Sequence, residues 1–341
     1  MDAVTPAEIR LSSAVAAGAL AGLRRHGGRV SSAATAFPDA PRPWVDLSTG
    51  INPTPWSGRR ARAGDLRKLP DPAALQALES TAAASFGADP TCVVAVAGAD
   101  AGLRLAPVLT GARSIDVVGP TYDGHAEAWS AAGAAVGTVD LAEAARSGAE
   151  ALAVVNPNNP DGAVCAPAAL ADGRRSVIVD ESFVETDPRL SVAGAGLPRT
   201  VVLRSFGKFY GLPGLRLGFL VAEPAVAARA RRLVGDWPVG HDAIAVGRAA
   251  YAETEWATET RARLLRTARR LDDMLKAAGF TVVGGTSLFR LVRHPDGAAR
   301  FARLCEQGVL TRPFDHDPTL LRFGLPTGAG WDRLASALDR L

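Results

Sequence analysis

One lysine, Lys208, lies in SFGKFYGLPGLR (205–216), a stretch whose only other polar side chains are Ser205, Tyr210 and Arg216. An apolar setting and a nearby guanidinium both disfavour an ammonium, so this arrangement points to an amine kept nucleophilic. Ser205 and Arg216 supply a hydroxyl and a forked cation, the donors that grip a phosphate. An amine nucleophile beside a phosphate grip is what pyridoxal 5'-phosphate (PLP) requires. The bland alternative is a solvated lysine beside a glycine turn, and residues elsewhere in the chain weigh against it.

NPNNPDG (156–162) sets three asparagines between prolines, which makes a rigid loop with amides in fixed directions. Asp180 closes SVIVD and leads into Glu181-Ser182-Phe183. A carboxylate at a strand end can keep a pyridine nitrogen protonated, which makes the ring an electron sink. Gly98-Ala99-Asp100 opens a helical stretch after a strand, so its amides are placed to bind phosphate. Tyr122, in GPTYDGH, could stack on a pyridine face, and Arg322, in LRFGLP, could bind a carboxylate. Singly these are a strand cap, a turn residue, a core tyrosine and a surface arginine. Their succession at strand ends favours the functional reading.

The elements that would position them are short apolar runs: VVAVAG (93–98), SIDVVG (114–119), ALAVVN (151–156), SVIVD (176–180), TVVLRS (200–205) and LGFLVA (217–222). Unalternated β-branched runs joined by Ala-rich helical segments predict strands of a mostly parallel α/β sheet, buried on both faces. Ligands of such sheets bind outside the carboxyl ends of the strands. From about Pro224 to Ala278 the pattern is helical. TVVGG, TSLFRLVR, a helix near 300–307, VLTRPF and LLRFGLP then predict a smaller α+β domain. We therefore expect a large domain over 45–235 and a small domain from 1–44 plus 236–341. The segment Pro53 to Pro72 reads as an ordered loop, and Ala14 to Leu23 as an N-terminal helix.

Composition excludes several classes. The chain has 341 residues, 48% hydrophobic and 21% charged, as expected of a soluble globular protein with two domains. Its 38 basic and 35 acidic residues leave a net charge of +3, and no Lys/Arg run forms a nucleic-acid stripe. The apolar 14–23 stretch is too short to span a bilayer. Cys92, Cys165 and Cys305 have no metal-ligand spacing and suggest a reducing compartment, so we expect a cytoplasmic protein without metal or disulfides.

The order NPNNPDG, DESF, SFGK and GLR resembles the fold-type-I PLP enzymes, the large aminotransferase group, over nearly the whole chain. That resemblance implies Lys208, Asp180 and Tyr122 as the catalytic set. Lys208 would anchor the cofactor covalently, Asp180 would meet the ring nitrogen, and Tyr122 would stack. Asn159 would bond the ring 3-oxygen and border the substrate, while Ala99, Asp100, Ser205 and Arg216 would hold the phosphate. A homodimer is implied as well. Two positions depart from many relatives: Phe183 stands where a tyrosine is common, and Leu69-Pro70-Asp71 stands where Tyr-Pro-Asp is common.

His26-Gly27-Gly28, WVDLSTGINP (44–53), GGTSLFRLV and LRFGLP further resemble the threonine-phosphate decarboxylases of cobalamin synthesis, which are close to the histidinol-phosphate aminotransferases. That likeness implies His26, Asn52 and Arg312 around a substrate phosphate and Arg322 on its carboxylate. The implied reaction converts L-threonine O-3-phosphate to (R)-1-amino-2-propanol O-2-phosphate. Transamination of histidinol phosphate, or of a related phosphorylated amino substrate, is the alternative on the same fold. Which bond at Cα breaks depends on which one stands perpendicular to the cofactor ring, an orientation set by the anion grips. A cofactor-binding scaffold without turnover is a third reading, which the intact Lys208, Asp180 and Arg322 oppose.

Overall fold

The structure, a computed structural model, describes residues 22–23, 26–58 and 67–341. The expected N-terminal helix falls largely outside these residues, as does part of the 53–72 loop. In chain order the strands are β1 (Val45–Asp46), β2 (Val93–Val96), β3 (Ser114–Val118), β4 (Ala135–Val139), β5 (Ala151–Val155), β6 (Ser176–Asp180), β7 (Thr200–Ser205) and β8 (Gly218–Ala222), followed by β9 (Thr281–Thr286), β10 (Phe289–Arg293), β11 (Val309–Leu310), β12 (Arg312–Pro313) and β13 (Leu320–Gly324).

The chain divides into two compact units, Thr54–Ala262 and a second made of Met1–Pro53 with Arg263–Leu341. In the first unit seven strands form one sheet in the order β2-β8-β7-β6-β5-β3-β4. Its pairings are parallel except at β8, which runs antiparallel to both β2 and β7. Every residue of β2, β5, β6 and β8 is buried, as their unbroken apolar runs dictate. Val94, Leu103, Ile115, Trp129, Ile178 and Leu203 are among the side chains of the core.

All six expected strands are present. β4 was not expected from the sequence, for a physical reason. It is an edge strand with no buried residue, and its AVGTV run carries no continuous apolar face. At Gly137 a Cβ would press on the Asp116 carboxylate on β3.

The second unit holds the antiparallel sheet β12-β13-β10-β9 and the parallel pair β1-β11. The boundaries differ from the expected 44/45 and 235/236. Val45 and Asp46 pair with Val309 and Leu310, which draws 45–53 into the C-terminal unit. The helix His241–Ala252 packs instead on Pro72–Phe86. Tyr251 meets Phe86 edge-on at 5.4 Å, and Gly247 lies where a Cβ would press on Leu217 and Leu78. The helix Thr254–Ala277 runs through the second boundary.

Candidate active site

A cavity of about 250 Å3 in the Thr54–Ala262 unit is lined by Ala99, Asp100, Tyr122, Asn159, Asp180, Ser205, Lys208 and Arg216. These are all eight residues expected around the cofactor. They arrive from different directions: Ala99 and Asp100 after β2, Tyr122 after β3, Asn159 after β5, Asp180 at the end of β6, Ser205 and Lys208 at the end of β7, and Arg216 ahead of β8.

The donors at one end suit a phosphate. The helix Ala99–Thr110 begins at Gly98, which has φ +89°, so its first-turn amides border the cavity. A Cβ on Gly98 would come within 2.6 Å of the Arg216 guanidinium, and one on Gly218 would collide with the Ala99 amide. Glycine at these two positions thus lets the Arg216 guanidinium approach one backbone and lets the β8 strand approach the helix N-terminus. Arg216 itself sits at φ +54°, and its Nη1 donates to the Pro213 carbonyl at 3.1 Å. A cation is therefore held beside a helix N-terminus and the Ser205 hydroxyl.

The other end suits a protonated ring nitrogen. Asp180 is buried; its Oδ1 accepts from the Ser182 amide at 2.9 Å, and its Oδ2 lies 3.1 Å from His125 Nε2. Burial opposes ionisation of this carboxyl, but His125 and then Ser182 outweigh it and hold it below the usual carboxylate range. An ionised carboxylate is what a pyridinium partner must be. Tyr122 Oη is 3.5 Å from Asp100 Oδ1. Burial, and then the charges of Asp100 and Asp180, push this phenol up to about 12, so it stays neutral. Lys208 Nζ lies 5.7 Å from the centroid of Phe183, so an apolar ring faces the amine.

Behind the cavity, Arg204 on β7 donates from Nη1 to Glu181 at 3.0 Å and from Nη2 to Glu185. Glu181 also accepts from the Ser191 hydroxyl at 2.7 Å and the Val192 amide at 2.6 Å. These buried charges are paired and hydrogen-bonded, which is the condition for tolerating them in a core. They fix the strand ends that carry Asp180 and Ser205.

Of the five residues expected around the substrate, Asn159 lines the cavity of the first unit, while His26, Asn52, Arg312 and Arg322 belong to the other. Arg312 and Arg322 are direct cross-strand partners on β12 and β13. Arg322 is buried; its Nη2 donates to the Ser48 carbonyl at 2.7 Å, and its guanidinium lies 5.2 Å from the Phe289 centroid. Burial, and then the charge of Arg312, press its pKa down to about 9, with Asp46 opposing. A bound anion would relieve that pressure. Arg312 Nη1 donates to the Leu23 carbonyl at 3.4 Å. Asn52 is buried, and His26 lies in the turn whose Gly28 amide donates to Ser48 Oγ at 2.7 Å.

His125 and Ser48 were not singled out in the sequence. For His125 a signal existed: it follows Tyr122 by one helical turn in GPTYDGH, so both can face one site. For Ser48 there was none, because its role depends on a fold that joins the chain's two ends.

Residues 16–338 match the family of class I and II aminotransferases. The chain is 40% identical over 327 residues to a threonine-phosphate decarboxylase of Sinorhizobium sp., covering 93% of this chain and 98% of the relative. It is 37% identical over 325 residues to the threonine-phosphate decarboxylase of Pseudomonas aeruginosa, covering 92% and 96%. Among solved structures, histidinol-phosphate aminotransferase from Sinorhizobium meliloti in complex with pyridoxal-5'-phosphate superposes with a TM-score of 0.73 at 21% identity, covering 82% of this chain and 84% of that one. That last likeness bears on the fold alone. With the family match spanning almost the whole chain, the protein belongs to the class I and II aminotransferases.

Proposed function

We propose that this protein is a PLP-dependent carboxy-lyase that converts L-threonine O-3-phosphate to (R)-1-amino-2-propanol O-2-phosphate, a step of cobalamin synthesis. The observation that carries this reading is the 40% identity, over 98% of its length, to a relative named threonine-phosphate decarboxylase. The cofactor supplies an electron sink for the pair left at Cα when a bond to that carbon breaks.

The residues divide the remaining work. Lys208 holds the cofactor covalently, and Asp180, kept ionised by His125 and Ser182, stabilises positive charge on its ring nitrogen. Asn159 and Tyr122 orient the ring, while Ala99, Asp100, Ser205 and Arg216 take the cofactor phosphate. Arg322 takes the substrate carboxylate. His26, Asn52 and Arg312 would take its phosphate, and the two anion grips together would fix how the substrate is oriented about Cα. In the net reaction the substrate would lose CO2 without the bonding pair and take up one proton at Cα, which Lys208 would deliver.

Two copies form the working enzyme, as the family resemblance implies, and three free cysteines fit a reducing cytoplasm. Among the described residues no helix is long and apolar enough to cross a membrane. The test is to incubate the PLP-loaded protein with L-threonine O-3-phosphate, without any oxo acid, and follow CO2. Sustained CO2 release is expected. No CO2, with glutamate formed from histidinol phosphate and 2-oxoglutarate, would make it an aminotransferase.

A further inference from the structure

We propose that Ser48 is a positioning residue for phosphate recognition, its hydroxyl holding the His26-Gly27-Gly28 turn in place. The proposal rests on the reading above that His26 grips the substrate phosphate.

Ser48 is buried at 2% exposure. Its backbone amide donates to Asp46 Oδ1 at 2.9 Å, and its hydroxyl donates to the same oxygen at 2.5 Å. With its only proton committed to Asp46, the hydroxyl is left as an acceptor, and the Gly28 amide donates to it at 2.7 Å. The turn has little freedom to sit elsewhere. A Cβ on Gly27 would collide with the Ser48 carbonyl, and Gly28 has φ +78°. The carbonyl of Ser48 meanwhile accepts from Arg322 Nη2 at 2.7 Å.

Ser48 thus serves two anion-gripping elements with two different atoms. Its side chain holds the turn that carries His26, and its backbone holds Arg322. Substitution by alanine removes the first function and keeps the second, which separates positioning from general damage.

The experiment uses the full-length, PLP-loaded protein. It compares KM for L-threonine O-3-phosphate with competitive inhibition constants for inorganic phosphate and for L-threonine. In Ser48→Ala, KM and the phosphate constant should each rise about five- to tenfold, the worth of one buried hydrogen bond. The L-threonine constant, which reports the carboxylate grip, should stay unchanged. Ser48→Thr, which keeps the hydroxyl, should restore the phosphate constant. In a His26→Ala background, adding Ser48→Ala should change nothing further, because the two act as a unit.

An equal rise in the phosphate and L-threonine constants, or full additivity with His26→Ala, would overturn the proposal. If His26→Ala alone leaves the phosphate constant unmoved, the substrate reading fails and this proposal falls with it. Should Ser48→Ala not fold, Ser48→Cys, close in shape but a weak acceptor, carries the same expectation.

Discussion

Asp180 and Arg322 are both buried ionisable groups, yet their surroundings answer burial in opposite ways. Around Asp180 the protein offsets the cost itself: His125 and the Ser182 amide face the carboxylate and hold its pKa down. Around Arg322 the next strongest influence is a second cation, Arg312, directly across the strand pair. Asp46 opposes it but does not cancel it. The balanced region suits a group that stays bound through many turnovers. The region where a second cation adds to the cost of burial suits a visiting anion, whose charge arrives with the substrate and departs with the product.

The most drastic way to break the comparison is Lys208→Ala. Turnover should fall by at least about 10^4-fold, and the mass of the loaded protein should show no covalent cofactor. Asp180→Asn keeps the shape and removes the charge. We expect kcat to drop about 10^2- to 10^3-fold, as for loss of a preorganised electrostatic partner, with little change in KM for the phosphorylated substrate. Arg312→Ala attacks the other region. KM should rise roughly 30- to 900-fold, about 2 to 4 kcal/mol, with the cofactor absorbance unchanged.

His125→Leu sharpens the comparison through pH. Asp180 has a lowered pKa in the folded protein, so its stabilising contribution is present above the ordinary carboxylate range. It is lost as pH falls through the lowered value. Removing His125 raises that value, so acid unfolding should begin at higher pH, with roughly 1.5–3 kcal/mol lost at neutral pH. Thermal melts across pH 3–7 would check this. The smallest effect is that of salt: raising ionic strength from about 0.1 M to 1 M shortens the screening length from roughly 10 Å to 3 Å. KM should rise several-fold while cofactor retention stays constant, because the substrate is drawn in anew at each turnover whereas the cofactor is held covalently.

Much of the balanced region was legible in the sequence. Lys208, Asp180 and Asn159 sit at the ends of unbroken apolar runs, and a parallel sheet leaves such ends pointing to one edge. The antiparallel direction of β8 and the edge strand β4 were not legible. β8 has the same apolar run as its neighbours, and β4 has no apolar run at all. The cross-strand pairing of Arg312 with Arg322 was hidden too, since register is a property of the folded hairpin. Domain boundaries slipped for a related reason: β1 joins a strand more than 260 residues later, a pairing that no local pattern announces.

The antiparallel turn of β8 has a consequence for the lysine. Ser205 and Gly218 are partners in the sheet, so residues 206–217 form a loop tied at its base. Inside it, Tyr210 N donates to the Phe206 carbonyl at 3.3 Å and Trp56 N to the Tyr210 carbonyl at 2.9 Å. Gly207 lies where a Cβ would come within 2.7 Å of Pro213 Cα. The entropy of closing this loop is therefore lost once, when the chain folds, and not each time a cofactor arrives. Amide protons of this loop should exchange slowly even before cofactor is added, and a newly made chain would meet its first cofactor with the lysine already confined.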